Sequence, residues 1–445
     1  MTRAQDFCAA HEFATMLIEF FGKNFGSFRD EFRLSMLATD IEPGGDRGIV
    51  EVQVEGDDKP LRLLRCAAIY GPNASGKSTV IRAASALHSL LANSARYSSD
   101  ESLEAYDPFL LDDTHSKQPV CLGVRAVISA RVYEYFVEFN QARILREVLR
   151  EHTSLGPSTL FERVQNDASG AWERDSQFTL IMKAFRHNAL LLGLADVFSP
   201  ELAGGIAVGI RRLLTFRDPG QYLASEQLLD HVARLTRERP TFENWLLDWL
   251  KSADLGIQEL QVEEEIKHRI VRQFEREPGE RPKLVKRIEP RVKYSLALLH
   301  TTGARPRKIG FDKESMGTRR LLELAPMIHD LLFGEHTRAF FIDEIGASLH
   351  PALLVALLRY FNCHLEATQV RGQLVFATHE TFMLDDEARR ATLRRDQVYL
   401  TDKDAAGASR LYSLAEFKER QVHNLRRRYL QGRYGAIPSI GPLGG

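Results

Sequence analysis

The chain has 445 residues, 44% hydrophobic and 27% charged, with a formal net charge of -1 at pH 7. This is ordinary globular composition with length for two or three domains, and it excludes a chain-wide basic field for nucleic acid. No run of 18 apolar residues exists, the N-terminus has no charged start followed by an apolar h-region, and the four cysteines (Cys8, Cys66, Cys121, Cys363) lack metal-ligand spacing, so a membrane span and secretion are not expected and the reducing cytoplasm is.

Residues 1–15 are polar and Ala-rich without a clear period, and are read as an N-terminal extension, with Met16 a candidate start. A first lobe, with antiparallel strands and a glycine-bounded loop, is expected over 16–175. It opens with the strand Met16 to Phe21, followed by alternating runs at Phe28 to Leu37 and Ile49 to Val54 around the turn Pro43-Gly44-Gly45. Leu61 to Tyr70 is an apolar strand and Ser78 to Leu91 a helical run. Val120 to Ser129 and Arg131 to Phe139 alternate as a hairpin. A mostly helical insertion is expected over 176–256, with helices at Phe178 to Ala195, Pro200 to Phe216, Gln221 to Arg237 and Phe242 to Ala253.

The charged stretch Glu259 to Glu275 and the strand Lys283 to Leu298 return the chain to a second lobe over 257–420. That lobe holds the helix Thr318 to Phe333, the strand Arg338 to Asp343, the helix Pro351 to Leu365 and the buried strand Gly372 to Thr378. Its last strands are Gln397 to Thr401 and Ser409 to Tyr412. A basic tail, 421–445, carries a helix from Gln421 to Tyr434 with Arg426-Arg427-Arg428. The fold class is α/β.

Between the strand and the helix stands Gly71-Pro72-Asn73-Ala74-Ser75-Gly76-Lys77-Ser78-Thr79, a complete P-loop pattern. Gly71 and Gly76 let the backbone turn tightly and approach a phosphate without a Cβ. The loop N–H groups and the helix N-terminus aim partial positive charge at an anion. Lys77 reaches β- and γ-phosphates, and the Ser78 hydroxyl is a Mg²⁺ ligand, so ATP and Mg²⁺ are the expected substrate and cofactor.

The strand Ala339-Phe340-Phe341-Ile342-Asp343-Glu344 has the pattern of a Walker B site. Asp343 is placed to hold Mg²⁺, and Glu344, one residue later, to polarise the attacking water. Further on, Leu374-Val375-Phe376-Ala377-Thr378-His379 is an apolar strand ending in a histidine, which at a phosphate site contacts a γ-phosphate or positions water.

Together with Ser348-Leu349-His350-Pro351, these segments resemble the ABC-type ATPases of the SMC, RecF and OLD branch. The resemblance implies a P-loop NTPase of ABC type with a mixed sheet, an N-terminal antiparallel part and the helical insertion. It also implies a signature helix before Walker B, matched by Glu314-Ser315-Met316-Gly317-Thr318-Arg319-Arg320. Ser315 and Gly317 then face the γ-phosphate of a partner subunit, in a homodimer or higher oligomer formed around nucleotide. The bland alternative for Ser315 is an ordinary helix N-cap. Lys23-Asn24-Phe25-Gly26-Ser27-Phe28 is similar to the same branch, with Gly26 where a basic residue often stands. Gln118, Gln141 and Gln165 remain alternatives for the Q-loop glutamine.

The segment Arg428 to Pro438 resembles the end of a narrower group, bacterial AAA-type ATPases of the RloA and AbiL kind, encoded beside a Toprim-like nuclease in phage-defence operons. OLD proteins carry their nuclease in the same chain; after His379 too little sequence remains here, so the resemblance implies a nuclease from a neighbouring gene. The alternatives are a RecF-like ATPase that clamps DNA, and a transporter subunit. Basic stretches at Arg281 to Lys293, Arg389 to Arg395 and Arg426 to Arg428 make DNA or RNA a further candidate partner, although charge runs are more often solvated faces.

Overall fold

The structure is a computed structural model and describes residues 15–40, 47–183, 185–198, 203, 205–217, 226–253, 255–275, 283–302, 305–334, 338–364, 372–384, 392–417 and 425–438. The extension 1–14, the turn 43–45, residues 389–391 of the basic run 389–395 and the first turn expected of the tail helix lie outside the described residues; Arg394 and Arg395 are buried rather than on a solvated face. The chain divides into two compact units. The first comprises residues 1–218, 330–346 and 351–445, and the second 219–329 with 347–350.

Two sheets build the first unit. One follows the spatial order β11 (Thr215–Arg217), β15 (Arg338–Ile342), β16 (Gly372–Ala377), β5 (Cys66–Tyr70), β17 (Val398–Lys403), β18 (Ser409–Ser413). All pairings are parallel except β17 with β18. Parallel strands covered on both faces read as unbroken apolar runs; accordingly every residue of β5 and of β16 is buried. Helix α1 (Lys77–Asn93) buries Val80, Ala83, Ala84, Leu87 and Leu90, a stripe at helical spacing.

The other sheet is antiparallel. Its order is β10 (Asp167–Ser169), β9 (Gly156–Val164), β8 (Ile144–Thr153), β7 (Arg131–Phe139), β6 (Val120–Ile128), β1 (Met16–Lys23), β2 (Phe32–Ser35). The hairpin expected from alternation at 120–139 is β6–β7. Strands β8 and β9 extend it through a stretch without clear apolar alternation. There Arg146 pairs with Glu162 at 2.6 Å and Arg150 with Glu134 at 3.1 Å across neighbouring strands, so charged residues occupy positions that would otherwise show the apolar alternation. A separate ribbon joins β3 (Ile49–Val52) to β4 (Leu61–Leu64).

The helix expected over 178–195 is two helices, α2 (Ser176–Lys183) and α3 (Leu191–Phe198), interrupted by a turn near 187–190. The helix expected over 200–216 reduces to α4 (Ile206–Leu213), and the chain then enters the parallel sheet as β11. These elements belong to the first unit rather than to an insertion. The break has a cause. Glu147 on β8 is fully buried and accepts hydrogen bonds from the backbone N–H groups of Leu191 (2.7 Å) and Leu192 (2.9 Å) and from Tyr135 Oη (2.9 Å), with Arg163 Nη1 at 3.5 Å. A carboxylate at the first turn of α3 satisfies amides that a continuous helix would have used internally. Arg163 in turn donates to the carbonyl oxygens of Ala189 (2.6 Å), His187 (3.1 Å) and Gln165 (2.8 Å).

The second unit contains α5 (Glu226–Glu238), α6 (Pro240–Ser252), a three-stranded sheet of β12 (Ile257–Glu275), β13 (Lys283–Thr302) and β14 (Arg305–Gly310), and the larger part of α7 (Met316–Phe333). The charged stretch at 259–275 is therefore a strand, paired along its length with β13. Back in the first unit, α8 (Pro351–Arg359) ends earlier than expected, in a wide π turn at Tyr360–His364. The tail helix is short, α9 (Leu425–Leu430), and Leu425, Tyr429, Tyr434 and Ala436 are buried, so this segment packs back on the core.

Replacing Glu147 by Ala should destabilise the first unit by about 3–5 kcal/mol, because the buried Arg163 charge and two amides lose their acceptor. Chemical denaturation measures it; a change below about 1 kcal/mol would show that solvent or rearrangement satisfies Arg163.

Candidate nucleotide site

Parallel register brings the motifs together. Ala377 pairs with Ile69 and Ile342 with Phe376, so β5, β16 and β15 end side by side at one edge of the sheet. The residues that follow are Gly71, Thr378 and Asp343. Ligand sites of open α/β sheets form at this carboxyl edge. Backbone bonds fasten the exits: Thr378 N–H donates to Ile69 O (3.0 Å) and Ile345 N–H to Ala377 O (3.3 Å).

The P-loop wraps the N-terminus of α1. Gly76 has φ 112° and Ala74 φ 60°, both in the left-handed region. A Cβ on Gly71 would stand 2.3 Å from Thr401 Oγ1 and 2.4 Å from Thr401 O, and one on Gly76 would stand 2.7 Å from Ser409 Oγ. The glycines are therefore required by β17 and β18 beneath the loop as well as by the turn itself. Hydroxyl groups brace it from below. Ser75 Oγ and Thr401 Oγ1 are 2.5 Å apart, and Thr401 Oγ1 donates to Tyr70 O at 3.2 Å. Ser409 Oγ donates to Ser27 Oγ (2.8 Å), which lies 3.1 Å from Thr79 Oγ1. Ser27, Thr401 and Ser409 were not read as site residues from the sequence; only Ser27 had a signal, in the segment Lys23 to Phe28.

Lys77 is buried, and its Nζ donates to the carbonyl oxygens of Gly71 (3.0 Å) and Pro72 (2.9 Å). Burial lowers its pKa, against the opposing influence of Asp343 and Glu344. Asn73, Ala74, Ser78, Glu344 and His379 are exposed, Pro72 and Asp343 half-buried. The groups expected to touch nucleotide thus face outward over buried supports. His379 has its pKa lowered by burial first and by the Lys77 charge second, with Glu344, Asp343 and Glu380 acting the other way. Lys77, Asp343, Glu344 and His379 therefore share one electrostatic neighbourhood. Glu344 itself has φ 47°, a strained conformation for a residue with a side chain, of the kind that clusters at active sites.

The donor set fits Mg²⁺. Asp343 Oδ1 is buried without a hydrogen-bond partner, which is costly for a carboxylate oxygen unless a ligand completes it. The Ser78 hydroxyl stands at the start of α1. Among the described residues, no group of three or more His, Cys, Asp or Glu gathers to hold a metal ion. Mg²⁺ needs no such cage: one carboxylate, one hydroxyl, substrate phosphates and waters satisfy it.

The segment Lys23 to Phe28 lies against the helix start. A Cβ on Gly26, φ 55°, would meet Thr79 Cγ2 at 2.7 Å and Arg82 Nη2 at 2.9 Å. A basic side chain is therefore barred at Gly26, and Arg82, paired to Asp107 at 3.2 Å, supplies the cation beside it. Of the three glutamines, Gln118 adjoins this segment, its carbonyl oxygen accepting from Asn24 Nδ2 at 3.1 Å, while Gln165 turns between β9 and β10.

In the second unit, Ser315 Oγ accepts from Thr318 N–H at 3.1 Å, so this serine caps α7. Gly317 is packed so that a Cβ would lie 3.1 Å from Ser348 O, and Ser348 has φ 63°. The signature segment and the segment after Walker B thus abut inside that unit.

A family model described as an AAA domain, putative AbiEii toxin of a type IV toxin–antitoxin system, matches residues 66–190 and 209–385. The match includes the P-loop, Walker B and His379. No curated protein matches the chain. Among the described residues no helix is long and apolar enough to cross a membrane.

Removing the Lys77 charge should raise the His379 midpoint in a histidine NMR titration, and Glu344→Gln should lower it. An unmoved midpoint in Lys77→Ala would separate the two groups. The folded His379 binds its proton less well than the ordinary imidazole of pKa 6.5, so its contribution to stability is lost as pH falls from 6.5 through the lowered value.

Proposed function

The chain belongs to that AAA-domain family and is a P-loop NTPase, and from this premise we propose that it binds and hydrolyses ATP, dimerises around the nucleotide and gates a partner effector in anti-phage defence. The observation that carries the ATPase reading is the unpartnered buried Oδ1 of Asp343 in the same electrostatic neighbourhood as Lys77, Glu344 and His379.

In this reading Lys77 leaves the Gly71 and Pro72 carbonyls and turns to the β- and γ-phosphates, while the P-loop N–H groups hold the remaining oxygens. Asp343 and Ser78 would hold Mg²⁺, which would supply positive charge to offset that of the phosphates. Glu344, exposed beside the strand exit, takes the proton of the attacking water. His379, whose pKa is lowered by partial burial and by the Lys77 charge, offers a hydrogen bond to the γ-phosphate.

Dimerisation is proposed from the resemblance to ABC-type ATPases, with the start of α7 at Ser315 and Gly317 facing the partner's γ-phosphate. Its amides, like those of any helix N-terminus, suit an anion. A Toprim-like nuclease from a neighbouring gene is the proposed effector, because the described residues present one constellation of reactive groups, and that constellation suits phosphoryl transfer to water. The toxin–antitoxin context in the family description agrees with a chain whose output is released or restrained by a second gene product.

Lys77→Ala should abolish binding of a fluorescent ATP analogue. Glu344→Gln should keep that binding and lower phosphate release by about 10²–10⁴-fold, since it removes the base and leaves the cradle. Equal loss of binding in both would make Glu344 a structural residue. The Glu344→Gln protein with ATP should run as a dimer in light scattering, and Ser315→Arg in the same background should return it to the monomer. A monomer throughout would overturn dimerisation while leaving the ATPase reading intact.

A further inference from the structure

Beyond Ala377 the parallel ladder of β16 gives out, and a segment leaving a sheet must find other partners for its polar groups. Glu380 N–H donates to Thr378 Oγ1 at 3.0 Å, which closes a short turn around His379. Past that turn the contacts come from elsewhere in the first unit. Tyr70 Oη donates to Glu380 O at 3.2 Å, and Arg426 Nε donates to Thr381 Oγ1 at 3.3 Å. Met383 and Leu384 then return to the core. His379 is thus an exposed side chain on a backbone held from both sides. The Glu380 side chain fills the space over Gly346, where a Cβ would stand 3.0 Å from Glu380 Cγ, two residues beyond Glu344.

One of these holds comes from the C-terminal segment, and the other leans on it. Tyr70 is fully buried, and its ring meets that of Tyr429 at 6.0 Å and 64°. Arg426 and Tyr429 stand three apart on α9 and so share a face of it. Tyr429 Oη donates to Ala436 O at 2.8 Å, which folds the segment back on its own helix. Tyr412 Oη on β18 donates to Tyr434 O at 2.8 Å, and Phe417 meets the Tyr434 ring edge-on at 5.2 Å. A Cβ on Gly435, φ 68°, would stand 2.9 Å from Tyr412 Oη, so the turn that seats the segment needs its glycine. Burial pushes the Tyr429 hydroxyl up to about 12 and that of Tyr70 well above its usual value, so both stay protonated donors at neutral pH. A segment that only capped the core would need Leu425, Tyr429, Tyr434 and Ala436, and no polar reach to Thr381.

We propose that the C-terminal segment 425–438 is a positioning element for His379, on the reading of that histidine as a γ-phosphate contact. Arg426 acts through Thr381, and Tyr429 acts through Tyr70 and Glu380. These side chains set where the imidazole stands; they do not share its chemistry. A misplacement of about 1 Å is enough to cost about 10²-fold in rate. The P-loop has its own braces in Ser27, Thr401 and Ser409, so loosening the segment lowers turnover and leaves the phosphate cradle in place.

Two measurements on the full chain test this. Hydrogen–deuterium exchange over 378–384, without nucleotide, reads the hold on the backbone, and phosphate release set against binding of the fluorescent ATP analogue reads its consequence. Arg426→Ala/Tyr429→Leu should speed exchange over 378–384 by about fivefold or more, the equivalent of one lost hydrogen bond, with exchange over 71–79 unchanged. The same variant should lower phosphate release by about tenfold or more and change analogue binding by less than about twofold. Tyr70→Phe, which keeps the ring and removes the bond to Glu380 O, should give the same pattern at smaller amplitude. Unchanged exchange over 378–384 in the double variant overturns the idea, as does faster exchange there with unchanged phosphate release. An equal rise in exchange over 71–79, with binding lost alongside turnover, also overturns it and makes the segment a general support of the sheet. Wild-type protein that releases no phosphate refutes the ATPase reading instead, and exchange over 378–384 still decides whether the segment holds this backbone.

Discussion

Hydrogen bonding of β16 to β5 on one side and to β15 on the other fixes the whole candidate site. The P-loop strand and the Walker B strand do not touch; the strand carrying Thr378 and His379 lies between them. A slip of two residues in either parallel pairing would carry Asp343 or His379 roughly 6–7 Å along the edge, beyond reach of a common phosphate. The apolar residues of these strands, buried without exception in β5 and β16, are what hold that register.

The loop over this edge is built in two layers. Below, Ser75, Thr401, Ser27, Thr79 and Ser409 share hydroxyl hydrogen bonds that leave little room for the P-loop to sag. Above, Ser78, Glu344 and His379 face solvent. Lys77 connects the layers, tied to two loop carbonyls. On the proposed reading, nucleotide binding would exchange one set of lysine hydrogen bonds for another, so the net gain from Lys77 would be smaller than its contact with phosphate alone suggests.

Much of the candidate site was legible because its pattern is local. Gly71 to Ser78, Asp343 with Glu344, and His379 each announce themselves within a few residues, and the apolar strands before them mark their positions. The supports were not legible. Thr401 and Ser409 stand far along the chain from Ser75 and Ser27, and nothing in an isolated Thr or Ser distinguishes a brace from a surface hydroxyl. The fold divides the same way. Alternation disclosed β6 and β7, whereas cross-strand ion pairs masked β8 and β9. The buried Glu147 broke one expected helix into α2 and α3, a tertiary contact that the helical period cannot contain. Of the β12–β13 pair, the strand from Lys283 was read and its partner at 259–275 was not, because that stretch is exposed on both faces along most of its described side chains and shows no apolar periodicity.

The strand order also sets a timetable. β5 emerges from the ribosome well before both of its neighbours, β16 and β17. Roughly 300 residues separate them, which at about 5–20 residues per second leaves the apolar segment Cys66 to Tyr70 without its sheet for about 15–60 s. For that interval it is an unpaired sticky strand, and α1, the first element able to shield it, covers one face only. The nascent chain is thus exposed to aggregation and to chaperone capture at the strand that leads into the P-loop, and this sheet closes only after roughly 300 further residues have been made.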